Sequence, residues 1–211
     1  MEDSKKTAKK EMKLLESPYY QNEDVVYIAK DLLGKVLITN IDNFLTSAEI
    51  VETEAYNGIE DKACHAYNNR KTKRTSVMYQ KGGVAYVYIC YGTHHLFNVV
   101  TGKENNPQAV LIRAVKPLDG IDIMLTRRKK SNLERSLTAG PGALCQALGI
   151  TKEINENLLS SSSIGIYDAF NSYSEDDILI SKRVGVDYAK DDALLPYRFR
   201  VKDSKWTSLA K

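Results

Sequence analysis

Two carboxylates, at Glu52 and Glu54, are the first residues in this chain whose type and spacing suggest chemistry. They lie in Ser47–Tyr56, which alternates as a strand does. Ile50, Glu52, Glu54 and Tyr56 share one face, and Val51, Thr53 and Ala55 share the other. A carboxylate aimed into an apolar surface is costly unless it is paired or used. Burial raises its pKa, which suits a general base. The competing reading is a solvent-facing strand edge. Metal chemistry finds no support. His65, His94 and His95 make no i, i+4 helical pair, and Cys64, Cys90 and Cys145 match no zinc spacing. Gly82-Gly83 and Gly140-Pro141-Gly142 match neither GxxxxGK[ST] nor GxGxxG, and no GxSxG elbow occurs. What remains is carboxylate chemistry without a metal or a phosphate-cradled cofactor.

Charge distribution suggests what such a site would act on. The net charge of the 211 residues is only +3, but no Asp or Glu occurs from Lys62 to Lys103. That segment holds Lys62, Arg70, Lys71, Lys73, Arg74, Lys81 and Lys103, with Tyr67, Tyr79, Tyr86, Tyr88 and Tyr91 interleaved. A second basic cluster is Arg127, Arg128, Lys129 and Lys130, whereas the C-terminal third is rich in acids. A solvated basic loop is the plain alternative. Cations interleaved with aromatics favour nucleic acid, because rings stack on bases beside phosphate contacts. Ala85–Gly92 adds a strand that ends in an aromatic at a hairpin tip. Val87 and Ile89 read as core, but Tyr91 reads as a wedge for a base stack.

The elements that position these residues can be read coarsely. Residues 1–20 read as a mobile charged arm, and residues 21–211 as one domain. Asn22-Glu23-Asp24 caps a helix through Val25–Leu33, which Gly34 stops. Strands are expected at Lys35–Asn40, Ser47–Tyr56, Val84–Cys90, His95–Thr101, Ala109–Val115, Ile164–Tyr167, Ile178–Val186 and Arg198–Val201. Helices are expected at Gly120–Lys129 and Ala143–Leu148, with a long loop over residues 57–83. Strands outnumber helices without βαβ alternation, so the fold class is α+β with a mostly antiparallel sheet. No stretch reaches the ~18 apolar residues of a membrane span, and the charged N-terminus is no secretory signal. Three cysteines cannot all pair, and a reduced compartment is the economical reading.

Several motifs in one order then become recognisable. They are Ile50–Tyr56, His65, Tyr86–Gly92, Asn98, Val110–Ala114, Gly140–Leu148 and Arg183–Val186. From about Leu32 to Trp206 the chain resembles the alkyladenine-type 3-methyladenine DNA glycosylases. The resemblance implies a single mixed domain on a curved antiparallel sheet, with a β-hairpin that inserts into the minor groove. It implies that Glu54 activates water, with Arg113 and the main chain near Val186 holding that water. Tyr56, His65 and Tyr88 would sandwich and hydrogen-bond an extruded base. Asn98 would disfavour the amino group of guanine, and Tyr91 would fill the gap in the duplex. Vertebrate members carry bulky residues beside the wedge, where this chain has Thr93-His94-His95.

The implied reaction is hydrolysis of the N-glycosidic bond of an alkylated or deaminated purine, leaving an abasic site. Nothing resembles the Lys nucleophile of a lyase, and no cofactor is implied. The expected partner is double-stranded DNA containing damaged purines, bound by a monomer with no membrane involvement. Phosphate contacts are expected from Arg70, Lys71, Lys73, Arg74 and Lys81, with a smaller share from Arg127 and Arg128. The location would be cytoplasmic and nucleoid-associated in a bacterium, or nuclear in a eukaryote. A non-catalytic binder of distorted DNA or structured RNA would keep the basic surface but would not need Glu54 and Arg113 together.

Overall fold

The computed structural model describes residues 12–169 and 171–209. In chain order the elements are β1 (Lys13–Leu14), α1 (Ser17–Tyr20), α2 (Val25–Asp31), β2 (Val36–Ile41), β3 (Phe44–Tyr56), β4 (Ala85–Cys90), β5 (His94–Thr101) and β6 (Gln108–Asp119). They continue with α3 (Ile121–Arg128), α4 (Pro141–Leu148), β7 (Ile164–Asp168), β8 (Ile178–Ser181) and β9 (Arg198–Val201). Every strand pairing among the described residues is antiparallel. The sheet runs β1-β7-β2-β3-β6-β5-β4, with β9 branching from β3 and β8 from β9. The fold is α+β on a large open sheet, as expected.

Local chemistry explains many element ends. Asp24 accepts a hydrogen bond from the Tyr27 N–H and caps α2. Asp42 and Asn43 both take positive φ, which suits the two-residue turn joining β2 to β3. Pro141 opens α4 and Gly149 closes it in the left-handed region. The main core packs α2, α3 and α4 against the sheet around Leu37, Ile50, Phe97, Ile112 and Leu148.

Four expectations change. The arm reading does not extend over residues 12–20. Leu14 pairs with Tyr167 on β7, and Tyr20 is buried and accepts the Gly102 N–H through its carbonyl. The rest of that arm, residues 1–11, lies outside the described residues. The segment 57–83 is not one open loop. Three short 3-10 turns cross it, and Cys64, Ala66, Val77 and Met78 form a second core with Val84, Tyr86 and Ala109. Ile89 is exposed rather than core, because the end of β4 runs into a hairpin whose tip stands in solvent. The strand at Ile178 stops at Ser181 instead of reaching Val186. Beyond it, the Val184 N–H is spent on a carboxylate and the Arg183 side chain is buried.

The alternation of β3 is also incomplete. Pairing runs Ile50 with Val115, Glu52 with Ala114 and Thr53 with Ile112. Val51 is therefore an extra residue on β3, and Arg113 is an extra residue on β6. Paired bulges re-aim side chains. They separate Ile50, which packs in the main core, from Glu52, which meets Arg113.

Candidate active site

Glu54 is fully buried. Its Oε1 accepts the Val184 N–H at 2.8 Å. Its Oε2 accepts the Tyr56 hydroxyl at 2.9 Å and Arg113 Nη1 at 3.3 Å. Burial pushes the Glu54 carboxyl above its ordinary pKa. Arg113, the Val184 amide and the Tyr56 hydroxyl pull the other way without cancelling the rise. Burial opposes the charge of Arg113, but Glu54 and Glu52 more than offset it and hold the guanidinium firmly protonated.

Glu52 is the scaffold behind this pair. Its Oε1 accepts Arg113 Nε at 3.0 Å, Arg198 Nε at 2.9 Å and the Ser208 hydroxyl at 2.8 Å. Its Oε2 accepts the Ser208 N–H at 2.6 Å. This overturns the solvent-facing edge reading. Glu52→Gln puts an NH2 where only donors point and weakens the charge balance around two buried guanidiniums. Breaking buried ion pairs costs ~3–5 kcal/mol. Glu52→Gln should therefore lower the urea midpoint strongly at unchanged slope, with a smaller loss of rate than any change at Glu54. A midpoint at the wild-type value would contradict this role.

Beside Glu54 opens a cavity of about 730 Å³. Tyr56, His65, Tyr88, Asn98, Arg113, Val186 and Tyr91 all line it. The structure thus brings together every residue expected for base binding, wedging and water holding. Glu54 itself sits one layer behind, and its partners Tyr56, Arg113 and Val184 form the wall. The ring centroids of His65 and Tyr88 lie 4.7 Å apart, and those of Tyr86 and Tyr88 5.4 Å apart. His65 Nδ1 is 2.8 Å from the Tyr86 hydroxyl. Burial, then the Arg74 and Arg70 charges, lower His65 to about 4, so its ring is neutral near pH 7. Asn98 is buried and donates through Nδ2 to the Tyr86 carbonyl at 3.1 Å, which fixes its amide plane.

Cys90–Thr93 forms the turn of the β4–β5 hairpin. Tyr91 has φ 50° and Gly92 φ 72°, and the Thr93 N–H bonds back to the Cys90 carbonyl. An aromatic at positive φ is uncommon and mildly strained. Tyr91 is 93% exposed. Arg70, Lys71, Lys73, Arg74 and Lys81 are exposed as expected. Arg74 also lines the cavity, with its guanidinium 5.9 Å from the centre of the Tyr88 ring. Arg127 and Arg128 are placed differently. Arg127 donates to the Ile41 and Ala147 carbonyls, and Arg128 to the Leu137 and Ser136 carbonyls and to Gln146. These contacts tie α3 to its neighbours.

Sequence reasoning gave no role to Tyr86, Tyr188 or the Asp61–Arg183 pair. Only the tyrosine content of the segment and the Arg183–Val186 motif signalled them. Among the described residues no helix is long and apolar enough to cross a membrane.

The sequence profile described as methylpurine-DNA glycosylase matches residues 19–205, which span the cavity, its wall and the hairpin. The chain belongs to this family. A Chlamydia abortus protein that carries the 3-methyladenine DNA glycosylase name is 51% identical over 187 residues, covering 88% of this chain and 97% of its own. Proteins of the same name from Desulfitobacterium hafniense and Clostridium botulinum are 46% and 42% identical. These alignments cover 94% and 92% of this chain, and 100% and 98% of theirs. For a methylpurine-DNA glycosylase family member, the arrangement has a direct chemical meaning. A ring-lined cavity stands beside a buried, cation-paired carboxylate, and an exposed tyrosine stands on the hairpin at its mouth.

Proposed function

We propose that this chain flips alkylated or deaminated purines out of duplex DNA and hydrolyses their N-glycosidic bond, leaving an abasic site. One observation carries the reading. The Glu54 carboxylate is held by Arg113 and the Val184 N–H directly behind the wall of a cavity lined by Tyr56, His65 and Tyr88.

A purine inside a duplex exposes neither face, so it must leave the stack to react. N-alkylated purines carry positive charge, which aromatic faces attract. A neutral His65 adds no repulsion. Such bases leave readily, so the protein needs a positioned water, a base and stabilisation of an oxocarbenium-like sugar. Glu54 can serve the last two needs. Arg113 and the main chain at Val186 flank the place where water would be held. Asn98 at the cavity wall would crowd the amino group of guanine. No lysine lines the cavity among the described residues, which supports simple hydrolysis over a Schiff-base lyase.

The test is incubation with duplexes that each carry one lesion, 3-methyladenine, 7-methylguanine or hypoxanthine, scored for free base and for abasic sites. Binding without base release would favour the non-catalytic reading.

Arg70, Lys71, Lys73, Arg74 and Lys81 supply the phosphate contacts in this reading. Arg127 and Arg128 are left out of the set, because their guanidiniums are committed to main-chain carbonyls and, for Arg128, also to Gln146. Five phosphate contacts would give log K a slope of about −4.5 against log salt. Lys73→Ala should weaken damaged and undamaged duplex alike and make that slope shallower by about 0.9, because phosphate contacts position and do not specify. A salt slope near zero would overturn the assignment.

A further inference from the structure

Arg183 takes no part in the chemistry outlined above, yet its side chain is fully enclosed behind the cavity-lining residues Tyr56 and Val184. Nη1 donates to the Ala55 carbonyl at 2.9 Å and to Asp61 Oδ2. Nη2 donates to Asp61 Oδ1 and to the Asp192 carbonyl, both at 2.9 Å. The guanidinium lies between two rings, 4.9 Å from the centre of Tyr56 and 5.3 Å from that of Tyr197. Asp61 in turn accepts the Asn57 and Ala63 N–H groups. The next residue along the chain, Val184, donates its N–H to Glu54.

We propose that Arg183 is a positioning residue that locks the Val184 N–H onto Glu54 and the Tyr56 ring against the cavity. The proposal rests on Glu54 being the base. Residues 182–186 lie outside the sheet ladder, and Gly185 takes φ 73°, so strand pairing does not fix the Val184 amide. The fixed point is the preceding guanidinium, pinned to the end of β3, to the 57–63 segment and to the Asp192 turn. An amide N–H aimed at a carboxylate favours its ionised form. Moving that N–H weakens the anion and spoils the geometry for attack.

The charged and titratable groups facing Glu54 are Arg113 on β6, Tyr56 on β3, Arg198 on β9, Tyr88 on β4 and Arg183 itself. Glu52 acts through Arg113. Any change in Glu54 ionisation caused through Arg183 is thus read against a background of Arg113, which Glu52 holds in place.

Lysine cannot replace this arrangement. One ammonium cannot reach both Asp61 oxygens and two carbonyls, and it has no plane to sit between two rings. Arg183→Lys keeps a positive charge opposite Asp61. The double variant Asp61→Asn/Arg183→Gln removes both buried charges together.

The experiment measures single-turnover excision of one lesion in duplex DNA against pH, and affinity for a duplex carrying a non-cleavable abasic analogue. Both variants should bind the analogue within about threefold of wild type, since neither residue is in the phosphate-facing set. Their rates near pH 7 should fall about 10- to 100-fold, the scale of a small misplacement at a reacting centre. The acid limb of the rate should move to higher pH, so the deficit narrows as pH rises. A purely structural pair would lower thermal stability and leave that limb where it is.

Glu54→Gln is run in parallel. If it retains wild-type activity, the base assignment fails, and this proposal fails with it. If Glu54→Gln is inactive while Arg183→Lys or the double variant keeps the wild-type rate and acid limb, the positioning role alone is overturned.

Discussion

Glu54→Gln should bind lesion DNA and fail to cleave it. Glutamine keeps the shape of the side chain, and most of its hydrogen bonds can survive. Its oxygen can accept the Val184 N–H, and its NH2 can donate to a rotated Tyr56 hydroxyl. The contact with Arg113 Nη1 is the one lost. What disappears is the ability to take a proton and to place negative charge near the sugar. General-base loss alone costs at least ~10²-fold, and single-turnover excision should fall by that much or more. A variant within threefold of wild type would falsify the assignment.

The pH dependence follows from the same environment. The base must be ionised, and burial raises the Glu54 pKa above its ordinary value. Wild-type excision should therefore fall as pH drops through a midpoint above the usual carboxylate range. The effect on stability has the opposite sense. A carboxyl whose folded pKa is raised favours the folded state in its protonated form. Its contribution is full below the unfolded pKa and is lost as pH rises through the folded value. Glu54→Gln cannot ionise and should flatten that part of the stability curve. An acid limb at or below pH 4.5 in the wild type would contradict the environment described for Glu54.

How much of this was legible in the sequence depended on range. The Asp24 cap, the Asp42-Asn43 turn, the Tyr91-Gly92 tip and the Gly149 stop are all local, and each residue type carries its own backbone preference. The β3 alternation was legible only as far as the bulges, because an extra residue at Val51 has no signature of its own. That Tyr56, His65, Tyr88, Asn98 and Val186 come together was legible through several motifs held in one order, and they line one cavity. What closes the site was not legible. Asp61 and Arg183 are 122 residues apart, and Glu52 and Ser208 are 156 apart. Nothing in either short segment names its partner. Arg127 and Arg128 show the converse case. A run of four cations looks like a surface, but the fold commits two of the guanidiniums to oxygens of neighbouring segments.

Tyr91→Ala should separate base flipping from surface binding. The side chain is 93% exposed at the tip of the β4–β5 hairpin, so removing it empties no part of the core. Alanine at φ 50° bears the same backbone strain as tyrosine, so the turn should keep its shape and the protein its stability. Flipping a paired purine costs a few kcal/mol of unstacking and unpairing. A ring placed in the vacated site recovers ~1–3 kcal/mol by stacking on the neighbouring bases. Losing it should lower the flipping equilibrium roughly 5- to 150-fold, while the chemical step for a base already in the cavity stays nearly unchanged. The deficit should shrink where the lesion lies opposite a gap, since less energy is then needed to extrude it. A fluorescent base analogue reports the flip, and single-turnover rates on paired and gapped duplexes report the consequence. If Tyr91→Ala flips and cleaves a fully paired lesion as well as wild type does, the ring is not the wedge. The hairpin would then serve only to carry Tyr88 and Asn98 to the cavity wall.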